Sequence, residues 1–470
     1  MNLRKISFYL SFFCFPIGFL AFINILYSSY FDYFLSIDSY LITLIISLLF
    51  GILLYLIGKN SEKKINFIEQ LCLIIFVYIF IGFLVSIPYY LSNYQVTLIS
   101  AIFEAVSGLT GTGFSIFKNI KYLDPTLIIW RSSTQWIGGL FFLIFLIILF
   151  SNKIFNYKMV NLTYSGDSNF KSEENIKNNI LKIFIFYCLF SILIFTLLNF
   201  SGVRLFNSLN LSMTLISGGG FLPSDNLNEI ITTNLQQIFL IISLIFSMLN
   251  FYFLINIFNK KVLVNEHSED FYLISSAIFL IFLIYFNEFD GTIIIMSVIS
   301  SLANSGITLL ETESNLSLYF LFITIIGGSL ISNTSGIKLC RFYILLKITS
   351  SEIIKLISPN SIINKTIFNT KTKITDENVK ISFLIFISFF LSLFILSSLL
   401  VLDSIGFERS FKLSILTLTN TVNSEMYSLQ NFNFTNLLIS SKISLIIFMI
   451  IGKIELISIF LIFKKILFRD

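Results

Sequence analysis

Ten runs of about twenty apolar residues follow one another along the chain, near 7–28, 39–58, 66–90, 125–150, 179–200, 235–258, 271–286, 316–347, 381–402 and 436–464. A bilayer's hydrocarbon core is ~30 Å thick and a helix rises ~1.5 Å per residue, so each run is long enough to span. Of 470 residues, 56% are hydrophobic and only 12% charged, too few charges to cover a water-soluble body of this size. The expectation is an all-α polytopic membrane protein of about ten transmembrane helices, solvated by lipid. Arg4 and Lys5 ahead of the first run imitate a signal peptide, but the run is too long for an h-region and no small-residue cleavage site follows it. It reads as the first span.

An even number of spans puts both termini on one side. With that side inside, only Lys118, Lys121, Arg131, Arg204, Arg409, Lys412 and Lys442 of the 31 basic residues fall outside, leaving 24 in inner loops, tails or adjoining helix ends. That asymmetry orients both termini to the cytoplasm. It also accounts for the net charge of +5 and implies no nucleic-acid partner. Cys14, Cys72, Cys188 and Cys340 are scattered and suggest no disulfide framework. The single histidine, His267, sits in a short polar segment and reads as a solvated loop residue. There is no His cluster, C-x-x-C, G-x-S-x-G or pair of acids on a span, which argues against a membrane enzyme and against a cofactor.

Small polar residues and glycines recur between paired spans. From the third span onward, each pair encloses a half-apolar stretch: I-F-E-A-V-S-G-L-T-G-T-G-F, L-N-L-S-M-T-L-I-S-G-G-G-F, I-I-M-S-V-I-S-S-L-A-N-S-G-I and K-L-S-I-L-T-L-T-N-T-V-N-S. Aligned on the glycine of the first, the matching positions are Gly113, Gly219, Gly306 and Asn423. The organisation is two extra N-terminal helices (1–62) and four pore repeats (63–160, 161–264, 265–375 and 376–470), the third with a broken second helix. Each repeat reads as helix, re-entrant helix and loop, helix, with the first re-entrant helix over Val96 to Ser107.

Irregular backbone at membrane depth is tolerated only where it is packed in protein or lines a wet cavity. A re-entrant helix pointing its C-terminal end at the membrane centre carries about −0.5 of an elementary charge there. Four such ends favour a cation, and a loop returning outward can offer carbonyls in place of the ion's water shell. The main alternative is a secondary transporter, a Na⁺ or H⁺ symporter with inverted repeats and broken helices. It calls for acids at the midplane, which are few here, and for repeats of opposite sense, whereas these run in the same sense.

The eighth run is interrupted by I-I-G-G-S-L-I-S-N-T-S-G-I-K-L-C-R. Gly327, Gly328 and Gly336, with Ser329, Ser332, Asn333, Thr334 and Ser335, make a poor lipid-facing helix, so the run should unwind toward the protein interior. Two readings of Lys338 are open: a lysine snorkelling from a helix end, or part of a gate that helps exclude cations. Lys453 and Glu455 stand within the last apolar run, two residues apart, so they do not face each other on a helix. Glu104, on the first re-entrant helix, reads as a buried acid bonded to nearby backbone or to Arg131.

F-E-A-V-S-G-L-T-G-T-G, with R-S-S-T-Q-W-I-G-G-L at Arg131 to Leu140, resembles the TrkH group of the TrkH/KtrB family of bacterial potassium uptake proteins. G-G-S-L-I-S-N-T-S-G-I-K-L-C-R at Gly327 to Arg341 resembles that family's Gly-rich intramembrane loop, and M-I-I-G-K-I-E-L at Met449 to Leu456 its last helix. The two extra N-terminal helices favour the TrkH branch. The resemblance covers nearly the whole chain. It implies a homodimer in the inner membrane with one pore per protomer, passage of K⁺, and a cytosolic ring of TrkA-like nucleotide-binding regulatory subunits on the lysine-rich inner loops.

Carried over by position, the filter would be Thr110, Gly111, Thr112 and Gly113; Ile216, Ser217, Gly218 and Gly219; Ala303, Asn304, Ser305 and Gly306; and Asn420, Thr421, Val422 and Asn423. The gate would be the stretch containing Gly327, Gly328, Asn333, Thr334, Ser335, Gly336 and Lys338, facing Lys453. Three positions depart from the family pattern. Asn423 stands where the family keeps glycine, A-N-S-G is poorer in threonine, and Lys453 replaces an arginine, which loses a planar five-donor fork.

Overall fold

A computed structural model describes residues 2–31, 37–61, 65–150, 173–259, 267–284, 291–309, 316–361, 364–368, 370, 373–429 and 432–454. Among the described residues the architecture is all-helical, with a single isolated bridge between Thr366 and Lys373. α1 (Leu3–Tyr30) and α2 (Ile37–Gly58) form a hairpin. Small residues let the two helices close up: a Cβ on Gly58 would come within 2.5 Å of the Phe8 backbone. Glu69, in the first turn of α3 (Phe67–Tyr90), accepts from the N–H of Asn66 at 3.1 Å and of Asn2 at 2.8 Å, which ties the starts of α1 and α3 together.

From α3 onward, a long helix, a short one and a further membrane-depth segment recur four times. The first unit is α3, α4 (Leu98–Thr110) and α5 (Pro125–Phe150). The second is α6 (Glu173–Phe200), α7 (Leu205–Ile216) and the pair α8 (Asn234–Met248) and α9 (Phe251–Phe258). The third is α10 (Ser268–Ile284), α11 (Gly291–Leu302) and the pair α12 (Ser317–Ile326) and α13 (Leu339–Ile357). The fourth is α14 (Asp376–Leu402), α15 (Phe407–Leu418) and α16 (Ile439–Ile454). At 12 or 13 residues, the short helices α4, α7, α11 and α15 are roughly 18–20 Å long, enough to enter a bilayer but not to cross it.

Leu3–Tyr30, Ile37–Gly58, Phe67–Tyr90, Pro125–Leu149, Lys177–Phe200 and Asp376–Leu402 are long and apolar enough to cross a membrane as single helices. Other expected spans are built differently. The run 235–258 is broken, because α8 and α9 meet at 113°. Leu249 leaves the helix in an extended conformation, the Asn250 side chain accepts from the Tyr252 N–H at 3.0 Å, and the Asn250 N–H donates to Asp270 Oδ1 at 2.8 Å. The run 316–347 becomes α12 and α13, separated by irregular backbone over 327–338. The first re-entrant helix ends three residues later than Ser107, at Thr110, where Gly111 takes φ +80°. Glu455 and the inner-loop lysines Lys63, Lys64, Lys153, Lys158, Lys171, Lys260 and Lys261 lie outside the described residues.

Candidate functional site

The four short helices end in four loops that meet. The second residue of each loop is in the left-handed region, at Gly111 (φ +80°), Gly218 (+66°), Asn304 (+54°) and Asn420 (+50°). At each of these the backbone N–H bonds the carbonyl three residues earlier: Gly108, Leu215, Ser301 and Thr417. These four positions are therefore structurally equivalent. Hydroxyls repeat the match, since Thr110 and Thr112 lie 2.7 Å apart in the first loop and Thr419 and Thr421 lie 3.0 Å apart in the fourth. So does packing: a Cβ on Gly138 of α5 would come within 2.0 Å of the Leu109 carbonyl oxygen, and one on Gly452 of α16 within 2.4 Å of that of Leu418.

This register corrects two of the four loops read from the sequence. The second equivalent segment is Ser217–Gly220, not Ile216–Gly219, and the fourth is Thr419–Val422, not Asn420–Asn423. Gly113 is matched by Gly220, Gly306 and Val422. Ile216 is the last residue of α7, and its carbonyl accepts from Asn333 Nδ2 at 2.7 Å. Asn423 lies one residue outside the ring and donates through Nδ2 to the Leu429 carbonyl at 3.1 Å. The asparagine that departs from the family pattern is thus not at the glycine position; a valine is. Gly220 and Thr419 were missed, although each had a signal. Gly113-Phe114 pairs with Gly220-Phe221, and T-G-T at Thr110 with T-N-T at Thr419.

The remaining expected positions, Thr110, Gly111, Thr112, Gly113, Ser217, Gly218, Gly219, Ala303, Asn304, Ser305, Gly306, Asn420, Thr421 and Val422, are brought together. Asn420 Nδ2 donates to Thr112 Oγ1 at 3.0 Å and to the Met449 carbonyl at 2.9 Å. Asn304 Nδ2 donates to the Thr324 carbonyl at 2.9 Å and reaches Thr421 Oγ1 at 3.4 Å. Ser107 Oγ holds the return of the first loop by donating to the Phe114 carbonyl at 2.7 Å, and Gln135 Oε1 holds the second by accepting from the Phe221 N–H at 3.2 Å.

A buried ion pair backs the first loop. Arg131 Nε donates to Glu104 Oε1 at 2.9 Å, and Arg131 Nη2 to Ser115 Oγ at 2.9 Å. Glu104 also accepts from Ser115 Oγ at 3.1 Å and from the Ile116 N–H at 2.8 Å, so both expected partners of this acid, backbone and Arg131, are present. The guanidinium lies 4.1 Å from the centroid of the Phe221 ring of the second loop.

Beneath the loops lies the segment 327–338. Lys338 does not snorkel. It is 2% exposed and folds back into its own segment, donating to Ser332 Oγ at 3.2 Å, Thr334 Oγ1 at 2.9 Å and the Ser332 and Thr334 carbonyls. Turning back so tightly leaves Lys338 at φ +75°, with Gly327 at +69° and Gly336 at +83°. The segment touches the loops above it: Asn333 Nδ2 reaches Ile216, and Ser335 Oγ donates to Asn420 Oδ1 at 2.8 Å. Lys453 Nζ donates to the Asn333 carbonyl at 3.0 Å and lies 4.5 Å from the centroid of the Phe142 ring. A Cβ on Gly111 would stand only 3.7 Å from that ammonium.

The other side of the segment is fastened to the α8–α9 break. The Ser329 N–H donates to the Met248 carbonyl at 3.0 Å, the Phe251 N–H to the Ile331 carbonyl at 2.8 Å, and the Leu330 N–H to Glu269 Oε1 at 2.8 Å. His267 belongs to this junction and is wholly buried rather than solvated. It packs on Phe253 with ring centroids 5.0 Å apart, with Nε2 3.0 Å from Asn256 Nδ2 and Nδ1 3.9 Å from Asp270 Oδ2. The kink turns α9 back over the start of α10 and covers the ring. Asn250, between Leu249 and Phe251 in the middle of the run, was the signal of that kink in the sequence.

Space is distributed unevenly along this axis. On one side of the loops a cavity of about 790 Å³ is bounded by Gly113, Gly220, Gly306 and Val422 and rimmed by charged residues, among them Lys118, Asp225 and Glu229. On this rim Glu229 sits 2.9 Å from Lys121 and raises the lysine's pKa above its ordinary value. On the other side, between Phe142, Lys338, Leu418 and Lys453, the space is about 20 Å³, room for about one water.

No family model matches the chain. It is 25% identical over 461 residues to an uncharacterized cation transporter of Methanocaldococcus jannaschii, covering 92% of this chain and 90% of that one. It is 24% identical to the Trk system potassium uptake protein TrkG of Escherichia coli K12, covering 93% and 92%, and 22% identical to TrkH of that organism, covering 91% and 92%. The crystal structure of the potassium transporter TrkH from Vibrio parahaemolyticus superposes with a TM-score of 0.85 over 98% of both chains at 17% identity. The chain is thus similar over most of its length to the Trk potassium uptake proteins TrkG and TrkH, and it shares the TrkH fold.

Proposed function

We propose that the protein takes up a monovalent cation, K⁺, through the four converging loops, and that segment 327–338 with Lys453 closes the path beneath them. One observation carries the reading: four short buried helices end in loops whose equivalent residues touch one another, between a wide cavity and a closed one. Each helix end contributes about −0.5 of an elementary charge to a cation among the loops. Loop carbonyls then replace its water. The gate reading is supported by the Lys453 ammonium beside the first loop. Two unit charges 4 Å apart repel by about 1 kcal/mol in water and about 4 kcal/mol at the effective dielectric near a protein surface. Moving Asn333 would release the hydrogen bond that holds this charge in place.

The chain resides in the inner membrane with both termini in the cytoplasm and works as a homodimer. Its lysine-bearing inner face docks a TrkA-like nucleotide-binding regulatory ring. Expression in a bacterium deficient in potassium uptake, grown at low external K⁺ with and without Na⁺ competition, tests the reading. Growth rescued by K⁺ is expected; no rescue from protein present in the membrane would end it.

A further inference from the structure

We propose that Val422 sets the rate and the ion preference of the four-loop path by placing an apolar side chain on its axis. The inference rests on the pore reading above and deepens it. The order of the loops follows from their contacts. A Cβ on Gly113 of the first loop would lie 2.9 Å from Gly220 Cα of the second and 3.1 Å from Val422 Cβ of the fourth. One on Gly306 of the third would lie 2.6 Å from the Val422 carbonyl oxygen and 2.9 Å from its Cγ1. The second and third loops touch where a Cβ on Gly220 would lie 2.9 Å from the Ser305 carbonyl oxygen. Loops one to four therefore follow one another around a ring, and the second stands opposite the fourth.

Val422 crosses that ring. A Cβ on Gly220, in the opposite loop, would stand 2.4 Å from Val422 Cβ and 2.7 Å from its Cγ1. A side chain that meets both neighbouring loops and the one opposite lies at the centre. The other three positions are glycines and leave that centre free. The valine also changes the backbone. Gly113 and Gly306 take φ of +80° and +71°, whereas neither Gly220 nor Val422 has positive φ, so the ring is two-fold in conformation rather than four-fold. A branched side chain resists the left-handed region that Gly113 and Gly306 use. An ion crossing here sheds water and meets methyl groups in its place, the arrangement by which apolar constrictions limit conduction.

The test is tracer uptake of K⁺, Rb⁺, Cs⁺ and Na⁺ into liposomes carrying the full-length protein, comparing wild type with V422I, V422A and V422G at matched membrane content. Uptake is expected to rise as the side chain shrinks, from isoleucine through valine and alanine to glycine. For V422G the gain should be about tenfold for K⁺ and greater for Cs⁺, the largest of the four. If wild type carries K⁺ and neither V422A nor V422G is faster, the constriction is refuted while the pore reading stands. If no form passes any cation, both fall. A gain uniform across all four ions would overturn the assignment of ion preference. V422A guards against a glycine variant that folds poorly, because it retains a Cβ.

Discussion

The four converging loops and the segment beneath them draw on the same residues, glycine, serine, threonine and asparagine, and both are irregular backbone at membrane depth, yet they are held by different means. Each loop is stitched largely to the helix it ends, by backbone bonds such as Gly219 to Thr214, Ser305 to Ser300 and Thr421 to Leu416. Segment 327–338 keeps backbone bonds to α12, which it follows, at its two ends only, Gly327 to Ile323 at 3.1 Å and Ile337 to Ile325 at 2.9 Å, and its middle is held from elsewhere. It is fastened to α8, α9 and α10 on one side and to Asn420, Ile216 and Lys453 on the other. The loops are thus rigid because they are local, and the segment is positioned by elements that can move apart. That is the difference expected between a part that must keep its shape and a part that must change it.

The sharpest way to break this contrast is to attack the rigid part from behind. Removing one member of a buried ion pair leaves the other unpaired and costs about 3–5 kcal/mol. R131A is therefore expected to lower the yield and thermal stability of the protein severely, and an apolar double replacement of Glu104 and Arg131 should recover part of the loss. Thermal unfolding in detergent measures both; an R131A variant as stable as wild type would mean the loops do not depend on this pair.

The same kind of change in the segment should act on flux instead. The bond from the Lys453 ammonium to the Asn333 carbonyl is of the charged kind, each contributing about 1.5–3 kcal/mol. Its loss in K453M should raise the open population about tenfold or more, since each 1.4 kcal/mol is a factor of ten. Deleting the residues around Asn333 should act in the same direction. Tracer flux into liposomes reads this, and flux unchanged by both variants would remove the segment from the role of gate.

How much of this contrast was legible beforehand depends on chemistry rather than on distance along the chain. The spans were legible because lipid demands long apolar runs, and the broken eighth run because three glycines and five small polar residues interrupt it. The kink at Asn250 was not, since one asparagine in an apolar helix is ordinary and its partner, Asp270, lies 20 residues away. The register of the second and fourth loops escaped for a related reason. S-G-G-G offers three consecutive glycines with nothing to rank them, and T-N-T-V-N has no glycine to align. Backbone conformation settles both, because a left-handed residue is required where each short helix stops. His267 misled because polar neighbours in sequence suggested water, whereas the kink covers it with Phe253.

The corrected register brings a subtler test. A Cβ at Gly220 would meet the Val422 side chain, so G220A should destabilise by about 1–3 kcal/mol through overpacking. Because the nearest obstacles are the Val422 Cβ and Cγ1, V422G in the same protein, which removes both, should relieve part of that loss, a coupling of about 0.5–3 kcal/mol in a double-mutant cycle. Additive effects would place the two residues apart and undo the ring.

The smallest effect bears on the equivalence of the first and fourth loops. Thr110 Oγ1 donates to the Val106 carbonyl at 2.8 Å and Thr419 Oγ1 to the Ile415 carbonyl at 2.9 Å, and each hydroxyl meets that of the threonine two residues on. Replacing either by valine keeps the shape and removes the hydroxyl, a loss of about 1 kcal/mol for each bond. T110V and T419V should therefore lower stability by similar small amounts, with little effect on segment 327–338, which touches neither hydroxyl directly. Had the fourth loop begun at Asn420, the partner of Thr110 would be a residue bonded instead to Thr112, Met449 and Ser335. Its removal would disturb loop, helix and segment at once. Comparable, modest stability losses for the two threonines, against a larger and flux-altering loss for N420A, would separate the two registers by measurement.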